Sequence, residues 1–267
     1  MRAGRFIIVG ALLLAALQAA RAEDTKLATL IGGPQRTEAN RARDQYRHPA
    51  ATLAFFGLRD DMTVVEIWPG GAGWWTEILA PYLAAHGKLY EALPDSTASD
   101  EARMGNAAFA AKLASSPETY GKVILTTLDA DRADVAPEAS ADLIVTFRNL
   151  HDWVARGTAD AALKTIFRAL KPGGVFGVED HRASDAAPQD PQAKSGYLRE
   201  DYTIALVERA GFKFVAKSEV NANPKDTKDY AAGVWTLPPT LRLKDQDRDK
   251  YVAIGESDRY TMKFTKP

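Results

Sequence analysis

The sequence predicts an α/β protein in which helices cover both faces of a doubly wound, mostly parallel sheet. Short apolar runs rich in β-branched residues alternate along the chain with segments of helical periodicity. Turns rich in glycine and proline separate these segments, as expected where strands are buried on both faces. With 46% hydrophobic and 26% charged residues among 267, the composition is that of a globular domain and excludes a disordered or coiled-coil chain.

The first 22 residues have the features of a signal peptide. Arg2 and Arg5 precede a short apolar run at residues 6–17. This run is too short to span a bilayer, which takes about 20 apolar residues. The sequence Ala20-Arg21-Ala22 supplies the small-x-small pattern that signal peptidase recognises, so we predict cleavage after Ala22. An uncleaved N-terminal anchor is the alternative. We expect residues 23–267 to be periplasmic or otherwise exported, with no membrane span after cleavage.

The charge balance and the absence of cysteine exclude several functions. The chain has 34 lysines and arginines against 35 aspartates and glutamates, without a basic block. We therefore expect no nucleic-acid partner. The absence of cysteine excludes disulfides, thiolate metal sites and cysteine nucleophiles. Neither observation indicates an oligomeric state.

The first half of the domain predicts a helical segment and then an alternation of strands and helices. Residues 23–60 form an N-terminal helical prelude, whose helical pattern covers residues 37–58 and ends at Gly57. Residues 62–68 are the first predicted strand, because this β-rich run stops at a proline and two glycines. A helix follows at 74–85, and Pro81 should kink or break it because proline lacks a backbone donor. Further strands are predicted at residues 88–93, 122–128 and 142–147.

The second half continues the alternation. The clearest helix spans residues 160–170, where apolar residues recur at i, i+3, i+4 and i+7. The remaining predicted elements are a strand at 175–179, a helix at 198–210 and strands at 212–220 and 260–265. The insertion at 221–258 is long for a hairpin, and such connections are uncommon unless functional. We expect it to fold over the cleft or to form a dimer contact, within a single domain of residues 23–267.

A glycine-rich turn marks the expected ligand site. The segment Glu66-Ile-Trp-Pro-Gly70-Gly71-Ala-Gly73 connects the first predicted strand to a helix. Ligands of open α/β sheets bind beyond the carboxyl ends of the strands, where glycine lets the backbone approach them. The N-terminus of the following helix favours a carboxylate or a phosphate. By itself, the turn fits a tight connection without a ligand equally well.

The order of elements and motifs resembles the class I S-adenosylmethionine (SAM) dependent methyltransferases over residues 63–266. The most specific match is Ile166-Phe-Arg-Ala-Leu-Lys-Pro-Gly-Gly-Val-Phe176, which is similar to the family's sequence before its fifth strand. Residues 141–151 resemble the family's fourth strand and the turn after it. The resemblance implies a Rossmann-like sheet with an antiparallel last strand, and SAM as the cofactor. The Glu-Ile-Trp-Pro-Gly-Gly motif also resembles an exported, predicted methyltransferase subgroup.

The resemblance further implies which residues contact SAM. They lie in the glycine turn and at the ends of the second, third and fourth strands: Glu66, Trp68, Gly70, Gly71, Gly73, Glu91, Asp129, Ala130, Arg148 and Asn149. Arg148 and Asn149 alternatively cap the following helix. Trp68 stands where the family has glycine, so its indole either blocks the methionine part of SAM or walls a modified pocket. For the ribose-binding acid, which the family carries near Leu93, we favour Glu91 over Asp95.

Two histidines are the candidate catalytic residues. His151 follows the fourth predicted strand and His181 follows the fifth, so both are expected at the ligand edge of the sheet. Methyl transfer needs an aligned acceptor and, where the acceptor is protonated, a general base, which either imidazole can supply. A metal site formed with neighbouring carboxylates is a second interpretation, for which we assign no ligands. Structural capping of the two turns is a third.

We therefore expect SAM-dependent methyl transfer to an unidentified small-molecule acceptor in the periplasm. The compartment argues against this function, because SAM is a cytoplasmic metabolite in the family's usual setting. The alternative is a non-catalytic exported binding protein that retains the fold with an altered pocket, since fold does not determine function. Trp68 favours the binding protein, whereas Glu66, Asp129, the glycines and the histidines favour the enzyme.

Overall fold

The computed structural model describes residues 25–129 and 133–267. The signal peptide predicted at residues 1–22 and the predicted cofactor contact Ala130 lie outside the described residues. The strands are β1 (Thr63–Ile67), β2 (Lys88–Leu93), β3 (Ile124–Leu128), β4 (Ala133–Asp134), β5 (Ala141–Phe147), β6 (Leu170–His181), β7 (Lys213–Ser218) and β8 (Arg259–Thr265).

Helices precede, connect and follow these strands. They are α1 (25–31), α2 (Glu38–Arg41), α3 (Asp44–Arg47), α4 (Pro49–Phe56), α5 (Thr76–Leu83), α6 (Asp100–Ser115), α7 (Pro117–Tyr120), α8 (Leu150–Ala155), α9 (Ala159–Ala169), α10 (Glu200–Arg209) and α11 (Arg248–Ile254), with a 3₁₀ turn at Gly233–Thr236. Within residues 25–129 and 133–267, no helix combines the length and the apolar character that a membrane span requires.

The described strands form one sheet in the order β4-β3-β2-β1-β5-β6-β8-β7. The pairs β1–β2, β1–β5, β2–β3 and β5–β6 are parallel, whereas β8 is antiparallel to both β6 and β7. The two-residue β4 adds a short antiparallel edge next to β3. The predicted Rossmann-like sheet with an antiparallel last strand is confirmed. Its strand order reverses between β1 and β5, where ligands of such sheets bind.

The core has two parts, one on each face of the sheet. Successive residues of β1 point to opposite faces, so that Val64 packs with α4 and α5 while Val65 packs with α8, α9 and α10. Both residues are fully buried. This explains why the strands read as continuous apolar runs rather than as alternating patterns.

Helix α5 continues through Pro81, so of the two predicted effects, a kink or a break, the break does not occur there. Proline cannot donate to the carbonyl four residues earlier, which belongs to Glu77. That carbonyl instead accepts a hydrogen bond from the side-chain amide of Gln35, at 3.4 Å. A residue of the N-terminal segment thus supplies the donor that the helix lacks.

Helix α6 is an element that the sequence pattern did not predict. Ser99 caps its N-terminus, where the hydroxyl accepts a hydrogen bond from the backbone N–H of Ala102 at 3.0 Å. Of its 16 residues, only Ala102 and Phe109 are buried, so the apolar periodicity is too weak to recognise. The helix packs beside the glycine turn and forms one wall of the cleft.

Candidate functional site

A cavity of about 280 Å³ opens at the carboxyl ends of β1, β5 and β6. Six parts of the chain line it: the segment around α3, the glycine turn, the turn after β5, the end of β6, residues 234–240 and the segment directly before β8. Its lining includes Arg43, Arg47, Glu66, Trp68, Gly70, Gly71, Trp75, Phe147, Arg148, Asn149, His151, Asp152, His181, Trp235, Glu256 and Ser257.

The glycine turn needs its glycines for two different reasons. Gly70 has a φ of +69°, which glycine adopts at little cost, and a Cβ there would meet no atom within 4 Å. Gly73 has a φ of +52°, and a Cβ there would lie 2.9 Å from the ring of Phe109 in α6. Gly70 therefore borders open space in the cleft, whereas Gly73 permits the close packing of α6.

The indole of Trp68 fills the space between the ends of β1 and β3. Its Nε1 donates a hydrogen bond to the carbonyl of Leu128 at 3.1 Å. The ring contacts Trp153 edge-on at 5.8 Å between centroids, and the Arg156 guanidinium lies 5.3 Å from its centre. A second cavity of about 230 Å³ lies along α6, and Trp68, Gly70, Gly71, Asn149 and Asp152 line both cavities.

Two buried glutamates lie side by side beneath the cleft. Glu66 and Glu91 are register partners on β1 and β2. Glu66 accepts a hydrogen bond from the Thr76 hydroxyl at 3.1 Å, and burial raises its pKa to about 7. Burial and the neighbouring Glu66 charge raise the pKa of Glu91 well above its usual range. The pair therefore retains a proton at neutral pH.

The carboxylate of Asp180 joins the two candidate histidines. Its oxygens accept hydrogen bonds from the backbone N–H groups of His151 at 3.0 Å and His181 at 2.7 Å. Nδ1 of the His151 ring lies 2.8 Å from the same carboxylate. Because a carboxylate only accepts, Nδ1 of His151 donates, which leaves Nε2 able to accept a proton. On His181, Nδ1 pairs with the hydroxyl of Ser257.

The two histidines titrate in opposite directions. Burial lowers the pKa of His151, but the charge and the hydrogen bond of Asp180 outweigh burial and leave that pKa above its ordinary value. Burial lowers the pKa of His181 well below its ordinary value, and the neighbouring His151 and Arg148 lower it further. His151 is therefore the group able to accept and hold a proton, while His181 stays neutral.

The same three residues are also a candidate metal site. Ligand atoms of His151, Asp180 and His181 all lie within 4.8 Å of one another. The carboxylate of Asp180, however, already accepts three hydrogen bonds from these two histidines. Metal binding through Oδ1 of Asp180 would break the bond that orients His151, because that oxygen accepts both the ring Nδ1–H of His151 and the backbone N–H of His181. The observed contacts thus favour a histidine oriented by a carboxylate over a metal centre.

A cluster of arginines lines the opposite side of the cavity, and the sequence analysis did not find it. The Glu256 carboxylate accepts hydrogen bonds from Arg43 Nε at 2.6 Å, from Arg47 Nε at 3.3 Å and from Arg259 Nη1 at 3.0 Å. The second terminal nitrogen, Nη2, of both Arg43 and Arg47 is buried without a hydrogen-bond partner. Arg148 follows β5 with a φ of +62°, and it also lines the cavity.

The structure brings most of the expected residues together at one cavity. Its lining includes Glu66, Trp68, Gly70, Gly71, Arg148, Asn149, His151 and His181. The side-chain amide of Asn149 donates to the Ile67 carbonyl at 2.9 Å and to the Thr146 hydroxyl at 3.1 Å, so it holds the ends of β1 and β5 together.

Three of the expected cofactor contacts lie elsewhere. Gly73 and Glu91 line neither of the two cavities. The side chain of Glu91 is fully buried within β2, two residues before the strand ends. Asp129 borders a small cavity of about 30 Å³ together with Trp68 and Trp153, at the end of β3.

Comparison with known proteins gives the class of fold. No protein-family model matches the sequence, and no curated protein is similar to it. Among solved structures, the [4+2]-cyclase SpnF is 16% identical with a TM-score of 0.60, and the match covers 91% of this chain and 92% of that one. A SAM-dependent methyltransferase from Aquifex aeolicus is 19% identical with a TM-score of 0.53, covering 74% of this chain and 93% of that one.

A third solved structure agrees with the first two. A putative sarcosine dimethylglycine methyltransferase from Galdieria sulphuraria is 12% identical with a TM-score of 0.55, and the match covers 85% of each chain. At these identities the similarity establishes the fold, which is that of the class I SAM-dependent methyltransferases. The fold alone does not determine the chemistry, which depends on the residues of the cavity.

Proposed function

We propose that this protein transfers a methyl group from SAM to a small molecule. One observation carries the proposal: in a methyltransferase fold, the glycine turn and a histidine oriented by a carboxylate line the same cavity. Alignment and a proton acceptor are the two contributions that methyl transfer needs from a protein. In this proposal, the cavity at the switch point of the sheet supplies both.

The residues of the cleft fit SAM. The two cavities meet at Trp68, Gly70, Gly71 and Asn149, and together they fall in the usual range of about 300–1,000 Å³ for ligand pockets. These four residues would hold SAM, and the open space beside Gly70 leaves the backbone accessible to it. Bound there, SAM would supply a methyl group on a positively charged sulfur, next to the indole of Trp68.

His151 supplies the base in this proposal. Its Nε2 accepts the proton that the acceptor loses as the acceptor's new bond to carbon forms. The charge of Asp180 stabilises the imidazolium that results, since it already raises the pKa of His151. His181 remains neutral and holds Ser257 at the cavity wall.

In this proposal, the reaction takes place outside the cytoplasm, in the periplasm. The protein would then belong to the exported subgroup of predicted methyltransferases. The composition of residues 1–22 supports this placement. The reaction then requires SAM to reach that compartment.

A non-catalytic binding protein is the second candidate, and the position of Trp68 favours it. The indole is fixed by its hydrogen bond to Leu128 and by its contact with Trp153. It lies between the glycine turn and Asp129. By the resemblance, the glycine turn borders the methionine part of SAM and Asp129 faces the adenine. On this interpretation the indole blocks SAM, and the cavity binds another ligand.

Calorimetric titration of SAM and S-adenosylhomocysteine into the purified protein tests the proposal. We expect micromolar binding, about −8 kcal/mol. Gly70→Leu should weaken it about tenfold or more, because the added side chain enters the cleft. Gly157→Leu is the matched control, because Gly157 also has a φ of +69° and open space but lines neither cavity.

A folded wild-type protein that takes up neither compound at millimolar concentration would contradict methyl transfer. The variant Trp68→Gly then separates the two candidates. If this variant binds SAM while the wild-type protein does not, the indole is the block and the binding-protein interpretation holds.

A further inference from the structure

Three guanidinium groups in the cavity have no part in the proposed methyl transfer. Arg43 and Arg47 lie one helical turn apart, at the start and the end of α3, and Arg148 follows β5. All three line the cavity that also contains His151. Arginine is costly to bury, so a group of three beside a ligand cavity calls for an anionic partner.

The carboxylates around these arginines do not balance their charge. Glu256 accepts hydrogen bonds from Arg43, Arg47 and Arg259, and Glu179 lies 3.2 Å from Arg259. Among the described residues, four guanidinium groups thus face two carboxylates. Within the same ranges, Arg148 forms no ion pair within 4.0 Å.

The members of this cluster lower one another's pKa values. Burial lowers the pKa of Arg47 well below its ordinary value, and the charge of Arg148 lowers it further. Two further carboxyls line the cavity, those of Glu66 and Asp152. Burial raises the pKa of both, that of Glu66 to about 7, so Glu66 carries only part of a negative charge at neutral pH and the four guanidinium groups keep an excess of positive charge. An additional negative charge would therefore be stabilised at this position.

Hydrogen-bond donors are also left over on the same groups. Nη2 of Arg43 and Nη2 of Arg47 are buried without a partner, and Arg47 as a whole is only 2% exposed. A buried donor without an acceptor is costly, so these atoms favour a ligand that brings acceptor oxygens. The planar fork of a guanidinium group matches a carboxylate or a phosphate in particular.

We infer that Arg43, Arg47 and Arg148 bind the carboxylate or phosphate group of a small-molecule acceptor, whose apolar body lies against the aromatic wall of the cavity. That wall consists of Trp75, which stacks on Phe147 at 4.0 Å between centroids, and Trp235, which lies 6.0 Å from His151. The volume of about 280 Å³ limits the acceptor to a small molecule. The identification of the bound anion as the methyl acceptor rests on the proposed function, whereas the anion site itself does not.

Binding of matched probes tests the inference. Benzoate and phenyl phosphate carry the two anionic groups on one apolar body, and benzamide and phenol are their neutral counterparts. Calorimetric titration into the purified protein should detect the anions and not the neutral compounds, and the ratio of the two anion affinities identifies the preferred group. Arg43→Met should weaken the preferred anion about tenfold or more, because a charge-assisted hydrogen bond is lost.

Loss of anion binding in these variants should not result from unfolding. Arg43 is 22% exposed, and its removal leaves Arg47 and Arg259 on Glu256. Arg148→Met is the second variant and should have the same effect. Arg103→Met is the control, because Arg103 is exposed on α6 and pairs only with Asp100 in the described structure; it should bind the anion like the wild-type protein.

Each contrary result has its own meaning. Equal binding of the neutral probes, or unchanged anion binding in Arg43→Met and Arg148→Met, overturns the inference. If saturating S-adenosylhomocysteine displaces the anion and Arg43→Met weakens both ligands equally, the arginines bind the carboxylate of the cofactor and the acceptor assignment is wrong. If the anion binds but SAM does not, the anion site stands and the proposed methyl transfer fails.

Discussion

His151 and Asp180 illustrate how one buried carboxylate determines the chemistry of its neighbours. Asp180 accepts the backbone N–H groups of both candidate histidines and the ring N–H of one of them. The fully buried carboxylate thus orients His151 and raises its pKa against the effect of burial. His181 lacks such a ring contact with Asp180, and its pKa falls.

Removing the charge of Asp180 should reverse the titration of His151. In Asp180→Asn, burial remains while the carboxylate charge is lost, so the pKa of His151 should drop from above its ordinary value of about 6.5 to below it. Titration of the imidazole signals by NMR measures this change. Asp152→Asn is the control, because that carboxylate lies 3.8 Å from Nε2 and is 40% exposed, and its effect should be smaller. An unchanged pKa in Asp180→Asn would remove the basis for the assigned base.

Among the elements, the contact of α4 with β6 depends on a glycine. A Cβ at Gly177 in β6 would lie 2.8 Å from the ring of Phe56 in α4. Gly105 lies in α6, where an added Cβ would meet no atom within 4 Å. We therefore expect substitution by alanine to change the free energy of unfolding in opposite directions at these two glycines.

Gly177→Ala should destabilise the protein by about 1–3 kcal/mol, because the core there has no room for another carbon. Gly105→Ala should stabilise it by about 0.5–1 kcal/mol, because alanine loses less conformational entropy in a helix. Urea-induced unfolding of both variants measures the two effects. Equal signs would show that the packing of α4 on β6 is not as tight as the distance indicates.

The elements also show what a sequence can predict and what it cannot. The buried strands were predicted because residues such as Val64 and Val65 are apolar on both faces of the sheet. Helix α6 was missed because only Ala102 and Phe109 are buried along its length. The success with the strands and the failure with α6 have the same cause. Apolar periodicity is visible in a sequence only where one or both faces of an element are buried.

The cavity was predictable only in part, for a related reason. The glycine turn, His151 and His181 each follow a recognisable strand, so the parallel sheet alone places them at one edge. Arg43 and Glu256 are 213 residues apart in the sequence, and no local pattern indicates that they meet. Trp235 likewise reaches the cavity from a segment without regular strands. Such residues are brought together by tertiary packing alone.

At the scale of the whole molecule, Glu256 connects the N-terminal helices to the last strand. Glu256→Gln removes the carboxylate that Arg43, Arg47 and Arg259 share, and it leaves buried guanidinium groups uncompensated. We expect a loss of about 3–5 kcal/mol in the free energy of unfolding. Asp160→Asn, which breaks the exposed pair with Arg209, should cost at most about 1 kcal/mol. Urea-induced unfolding compares the two variants, and similar small losses in both would contradict a structural role of the Glu256 network.

The position of β8 determines when the chain can complete its fold. This strand is the last in the sequence, yet it lies between β6 and β7, and β7 pairs with β8 alone within the described residues. A nascent chain that has not yet released residues 259–265 has no partner strand for β7 and lacks Arg259 beside Glu256. Neither the sheet nor the arginine side of the cavity can close before residues 259–265 are synthesised and available. For the export that we propose, late closure is an advantage, because an incompletely folded chain can still be threaded through a translocation pore.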